Sequence, residues 1–108
     1  MQSEQLVKLA EEFGTPLFVY DADKITQQYK RLVNAFASID LELHYACKAL
    51  SNQAILQHIC SLGAGLDTVS IEEVHLGLKA GYLPVEFQLT HLPWRCLLEK
   101  CQHRLTCY

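Results

Sequence analysis

An α/β fold on a parallel sheet is what this sequence predicts, and three observations predict it. From Leu41 to Thr90, strand-like and helix-like runs alternate in the order β-α-β-α-β. The loops between them are short, which implies parallel strands joined by right-handed helical crossovers. Half of the 108 residues are apolar, enough for one small domain with a real core.

Each element has its own local reason. Ser3 to Phe13 places Leu6, Leu9, Ala10 and Phe13 on one helical face, and Gly14 stops the helix before Thr15-Pro16 breaks it. Leu17 to Tyr20 is an apolar run suited to a short buried strand, and Asp21 is placed to cap a second helix. That helix, Ala22 to Ala37, is amphipathic, with Ile25, Tyr29, Leu32, Val33 and Phe36 at helical spacing. Leu41 to Ala49 alternates as a strand. Asn52 caps a helix carrying Ile55, Leu56, Ile59 and Cys60 that ends at Gly63. Leu66 to Ser70 is the second strand of the alternating unit, Ile71 to Ala80 a helix stopped by Gly81, and Val85 to Thr90 the third strand.

Composition excludes several classes of function. The chain has 9 Lys and Arg against 12 Asp and Glu, with no basic run, so it lacks the clustered cations that phosphate backbones require. We therefore expect no nucleic-acid partner. The first twenty residues mix Glu4, Lys8, Glu11 and Glu12 among the apolar positions, unlike a signal peptide or a membrane span. The expectation is a cytoplasmic protein without membrane contact. Five cysteines, an odd number, do not make a complete disulfide framework.

The stretch HYACKAL, residues 44–50, puts a lysine in a strand. Alternation sets Leu41, Leu43, Tyr45 and Cys47 on one face and Glu42, His44, Ala46 and Lys48 on the other. In a sheet that curls into a barrel, Lys48 then lies inside, near the C-terminal end of its strand, where barrel enzymes place their chemistry. A desolvated amine there is a candidate Schiff-base former. A lysine that extends its head into water at the strand end satisfies the same pattern. Asp67 shares the inward parity, although it also suits a polar strand start. Glu73 completes Ser70-Ile71-Glu72-Glu73, the pattern of a capping box. His44 and His75 read as packing or surface residues and Tyr45 as core.

Four separated motifs, in order, sharpen this: FGTPLFVYD (13–21), HYACKAL (44–50), GAGLDTVSIEEV (63–74) and LKAGYLP (78–84). Over residues 4–84 the chain resembles the pyridoxal-phosphate-dependent ornithine/diaminopimelate/arginine decarboxylase family. That resemblance implies a partial pyridoxal-phosphate-binding (β/α)8 TIM-type barrel, its first three or so β/α units preceded by an N-terminal helix and a short strand. It implies pyridoxal 5'-phosphate as cofactor, Lys48 as the catalytic lysine that holds it, and Asp67 and Glu73 as acidic residues beside lysine and cofactor. GTPLFVYD resembles the diaminopimelate branch, which implies an amino-acid substrate: meso-diaminopimelate losing carbon dioxide to give L-lysine. Ornithine or arginine decarboxylases, alanine racemase and non-catalytic cofactor-homeostasis proteins share the barrel and form the alternative. A homodimer is implied for the complete family enzyme.

A whole barrel of this kind needs about 250 residues. The resemblance therefore implies an incomplete and inactive chain, without the family's later cofactor-stacking histidine, phosphate-binding glycines, pyridine-pairing acid and cross-dimer cysteine. Residues 1–84 form the barrel part. Residues 85–108 are expected to be a divergent tail, translated out of the family's reading frame. Cys96, Cys101, His103 and Cys107 lie close together there, but C-x4-C-x-H-x3-C matches no common zinc module. No metal is expected.

Overall fold

Local capping decides where the helices begin and end. The computed structural model describes residues 3–90. They form α1 (Ser3–Phe13), α2 (Ala22–Ala35), β1 (His44–Ala46), a 3-10 turn (Cys47–Ala49), α3 (Gln53–Ser61), β2 (Gly65–Thr68), α4 (Ile71–Ala80), a second 3-10 turn (Pro84–Glu86) and β3 (Phe87–Leu89). Asp21 Oδ1 accepts from the Lys24 amide at 3.0 Å and starts α2. Asn52 Oδ1 accepts from the Ala54 and Ile55 amides at 3.0 and 3.3 Å and starts α3. α4 ends at Gly81, whose φ of +103° is a left-handed conformation that a side chain would strain.

The three strands lie in the order β1-β2-β3, all parallel. His44, Tyr45 and Ala46 stand opposite Gly65, Leu66 and Asp67. Leu66, Asp67 and Thr68 stand opposite Phe87, Gln88 and Leu89. One face carries the core: Leu66, with Tyr45 and Phe87, packs on Cys47, Leu56, Cys60, Leu76, Ala80 and Tyr82 from the turn, α3, α4 and the segment after α4. The other face presents His44, Ala46, Gly65, Asp67 and Gln88 by alternation. Residues 87–89, placed by sequence inside the divergent tail, thus form a strand in register with β2. The rest of the tail, from residue 91, lies outside the described residues.

α2 is tied to α3 by a polar clasp. His58 Nε2 lies 2.8 Å from Thr26 Oγ1 and 3.1 Å from Ala22 O. A carbonyl only accepts, so Nε2 carries the proton and donates.

Of the strand expectations, Val85 to Thr90 shortens to β3, with Val85 and Glu86 in the 3-10 turn, and two others differ further. Leu17 to Tyr20 forms no strand, and all four side chains are exposed, Phe18 by 87%. Apolar character signals that a run suits burial, but no element among the described residues covers this one. The first strand of the alternating unit is also shorter than Leu41 to Ala49. Pairing with β2 spans only His44 to Ala46, after which the backbone tightens into the 3-10 turn.

Candidate functional site

Lys48 stands on that turn and not on a strand. Parity holds as far as Cys47, which is fully buried on the helix side. The turn then brings Lys48 out past the C-terminal end of β1, where its side chain is exposed. Tyr45 closes the turn from below by donating its hydroxyl to Leu50 O at 3.1 Å. The burial expected of a strand lysine is therefore not supplied by the described residues.

Asp67 sits on β2 at the level of Ala46 and Gln88, one residue from the strand's C-terminal end. It is half-buried, and its Oδ1 accepts a short hydrogen bond from Thr90 Oγ1. Thr90 is itself fixed, because its amide donates to Thr68 O at 3.1 Å and extends the β2–β3 ladder. Sequence reasoning did not single out Thr90. Its parity with Gln88 would have placed it on Asp67's face once the register was known, but register is not written in a strand this short.

Glu73 lies in the first turn of α4 and does the capping work expected of it, with one change. Ser70 Oγ accepts from the Glu73 amide at 3.2 Å. The Glu73 carboxylate accepts from the Val69 amide at 2.7 Å, one residue before the cap residue itself. Burial pushes the Cys47 thiol up from its ordinary 9.0, and the Glu73 charge adds to the effect. Glu73 is thus electrostatically close to the turn that carries Lys48.

Lys48, Asp67 and Glu73 consequently share one edge, the C-terminal edge of a parallel sheet, where β/α folds gather their sites. Among the described residues they form no ion pair with one another. The open sheet face beneath them is kept shallow by Ala46 and Gly65. A Cβ built on Gly65 would meet the His44 ring at 2.5 Å, so the imidazole occupies the space a larger residue would fill. An amine on an edge shared with two carboxylates, above a low, open face, fits an aldehyde-bearing cofactor with a cationic ring. A separate cleft of about 500 Å³ lies on the helix side of β1, lined by Ile25, Tyr29, Leu43, Tyr45, Ile55 and Ile59 among others. Neither Lys48, Asp67 nor Glu73 lines it.

Comparison with known proteins shows the family. The family described as "Pyridoxal-dependent decarboxylase, pyridoxal binding domain" matches residues 22–91. The chain belongs to this family. Its cofactor is pyridoxal phosphate. A diaminopimelate decarboxylase of Methanothermobacter thermautotrophicus is 41% identical over 80 residues, 72% of this chain and 19% of that protein. Among solved structures, the diaminopimelate decarboxylase of M. jannaschii in complex with L-lysine superimposes with a TM-score of 0.73 at 31% identity, over 78% of this chain and 21% of that one. The lysine/ornithine decarboxylase of Vibrio vulnificus in complex with cadaverine gives 0.76 at 32% identity, over 83% and 25%. The three strands and their helices are thus part of a pyridoxal-phosphate barrel. The chain spans about a fifth to a quarter of the length of these relatives.

Among the described residues, no group of three or more His, Cys, Asp or Glu is arranged to hold a metal ion. Cys96, Cys101, His103 and Cys107 lie outside those residues. No described helix is long and apolar enough to cross a membrane.

Proposed function

We propose that this chain is the lysine-bearing segment of a decarboxylase acting on meso-diaminopimelate, with Lys48 as the residue that holds pyridoxal 5'-phosphate. One observation carries the reading: the exposed Lys48 amine shares the C-terminal sheet edge with Asp67 and Glu73, the two acids expected beside it. The likeness to diaminopimelate decarboxylases over more than two thirds of the chain supports the substrate. When bound, the cofactor supplies a ring that accepts the electron pair left as carbon dioxide departs. The chain's own residues have simpler tasks. Lys48 offers its amine from a turn braced by Tyr45. Asp67 and Glu73 place negative charge beside a ring that carries positive charge, Glu73 while also fixing the start of α4. Buried Cys47 and half-buried Tyr45 hold the turn against the core.

A homodimer working in the cytoplasm belongs to the same proposal, as do further groups beyond these residues to complete the pocket. Three parallel strands wall less than half of an eight-stranded barrel. The 108 residues by themselves are therefore proposed to take up the cofactor without turning over substrate.

The test is reductive trapping. The chain is mixed with pyridoxal 5'-phosphate, reduced with borohydride and mapped by mass spectrometry. Label concentrated on Lys48, and lost in Lys48→Ala, is the expected result. Label spread over Lys8, Lys24, Lys30 and Lys79 and unchanged by Lys48→Ala would remove the case for a site here. A second reading, decarboxylation of lysine or ornithine, is favoured by the Vibrio vulnificus likeness. A decarboxylation assay of the chain within its complete enzyme, with diaminopimelate, lysine and ornithine in competition, separates the two.

A further inference from the structure

We infer that Thr90 is a positioning residue that turns Asp67 away from Lys48 and so keeps the lysine amine free to react. The inference rests on the assignment of Lys48 as the cofactor lysine and concerns how its neighbour is held. β2 is the middle strand, with β1 and Lys48 on one side and β3 and Thr90 on the other. Thr90 Oγ1 donates to Asp67 Oδ1. Among the described residues this is the hydrogen bond that Asp67 makes, and Asp67 has no ion pair. The backbone that carries the donor is anchored, because the Thr90 amide is held by Thr68 O at 3.1 Å. The carboxylate is thereby drawn toward β3, on the far flank from Lys48.

The direction matters chemically. A lysine attacks an aldehyde as the neutral amine, with its lone pair forming the carbon–nitrogen bond and water leaving after proton transfer to the oxygen. A carboxylate paired with the ammonium stabilises the charged form and withholds that lone pair. Ala46, level with Asp67 on β1, has only a methyl group and places no side-chain barrier between Asp67 and the Lys48 turn. A hydroxyl on the opposite flank is the device that holds the acid back. Asp67 remains close enough to act on a bound cofactor without first neutralising its lysine.

Thr90→Val, which keeps the shape and deletes the donor, tests this, with Thr90→Ser as the rescue. Two readouts are taken on the full chain. The first, without cofactor, is the Asp67 χ1 distribution from NMR side-chain couplings. One rotamer is expected in the wild type and in Thr90→Ser, and a mixture in Thr90→Val. The second is the initial rate of imine formation with pyridoxal 5'-phosphate at Lys48. It is expected to fall about two- to fivefold in Thr90→Val, the range a single exposed ion pair commands, and to recover in Thr90→Ser. In an Asp67→Asn background Thr90→Val should change nothing, because no charge remains to pair with Lys48. Unchanged couplings in Thr90→Val, or an equal rate loss in the Asp67→Asn background, would overturn the inference. A wild-type chain that forms no imine at Lys48 would instead sink the function proposed for the chain, and the couplings would still decide the role of Thr90.

Discussion

Gly77, in the middle of α4, measures how closely that helix lies on the sheet. A Cβ built there would meet Leu66 Cδ2 and Phe87 Cε1 at 2.6 Å and Phe87 Cζ at 2.8 Å. Two effects oppose one another when Gly77 becomes alanine. Helix propensity gains up to about 1 kcal/mol. Overpacking costs about 1–3 kcal/mol when the surrounding side chains cannot give way. Leu66 is fully buried, and the Phe87 ring rests on the core beside Tyr82, 6.0 Å between centroids. Leu66, fully buried, cannot move aside, so packing wins. Gly77→Ala is expected to destabilise the chain by about 1 kcal/mol in urea unfolding, and a gain in stability would show that the ring swings aside. At Lys48 no comparable crowding exists. Its exposure makes Lys48→Ala nearly silent for stability, which is why a loss of cofactor labelling in that variant reports on chemistry and not on folding.

At the scale of elements, the start of α4 separates two duties of Glu73. Its carboxylate holds the Val69 amide at 2.7 Å, and its charge faces the positive end of the helix. Glutamine retains an acceptor but not the charge, whereas alanine retains neither. Glu73→Ala is expected to cost about 1 kcal/mol, as loss of a cap does, and Glu73→Gln about half of that. Equal melting of the two variants would mean that charge alone, not the hydrogen bond, holds this turn. Elements of this kind were readable in the sequence because their signals are local. Asn52, Ser70, Gly14 and Gly81 each act within three or four residues, and each helix starts or stops where they stand. The strands were less readable because their limits are set by partners. Cys47 still obeys strand parity, so nothing in HYACKAL announces the turn that moves Lys48 out of the sheet. Leu17 to Tyr20 is apolar enough to be buried, yet apolarity does not name what would cover it. Lys48, Asp67 and Glu73 are proposed from motifs, while Thr90, which belongs to no motif, required the register of β2 against β3.

For the molecule as a whole, the core and its border hold two thiols and two phenols, each of which burial favours in its neutral form. Burial is the main cause that pushes the thiols of Cys47 and Cys60 above 9.0. It raises the phenols of Tyr45 and Tyr82 above 10.0, Tyr82 by far the more. Tyr82 is 2% exposed and its hydroxyl has no hydrogen-bond partner among the described residues, which offer an anion there nothing to stabilise it. In the unfolded chain these groups ionise at their ordinary values. Above pH about 9, therefore, the unfolded state binds fewer protons than the folded one, and stability falls as pH rises. The contribution is fully present below pH about 9 and is lost progressively toward the higher folded-state values, thiols first and phenols from pH about 10. Each fully buried group adds up to about 1.4 kcal/mol per pH unit to the slope. Urea unfolding of the chain between pH about 8 and pH about 10.5 is expected to show stability level at first and then dropping steeply. Cys47→Ala lowers the plateau by removing a packed side chain, but its decisive effect is on steepness. The slope above pH about 9 should be shallower by as much as about 1.4 kcal/mol per pH unit. A variant with a lower plateau and an unchanged slope would show that Cys47 ionises as readily in the folded chain as in the unfolded one. The buried turn beneath Lys48 would then be open to water.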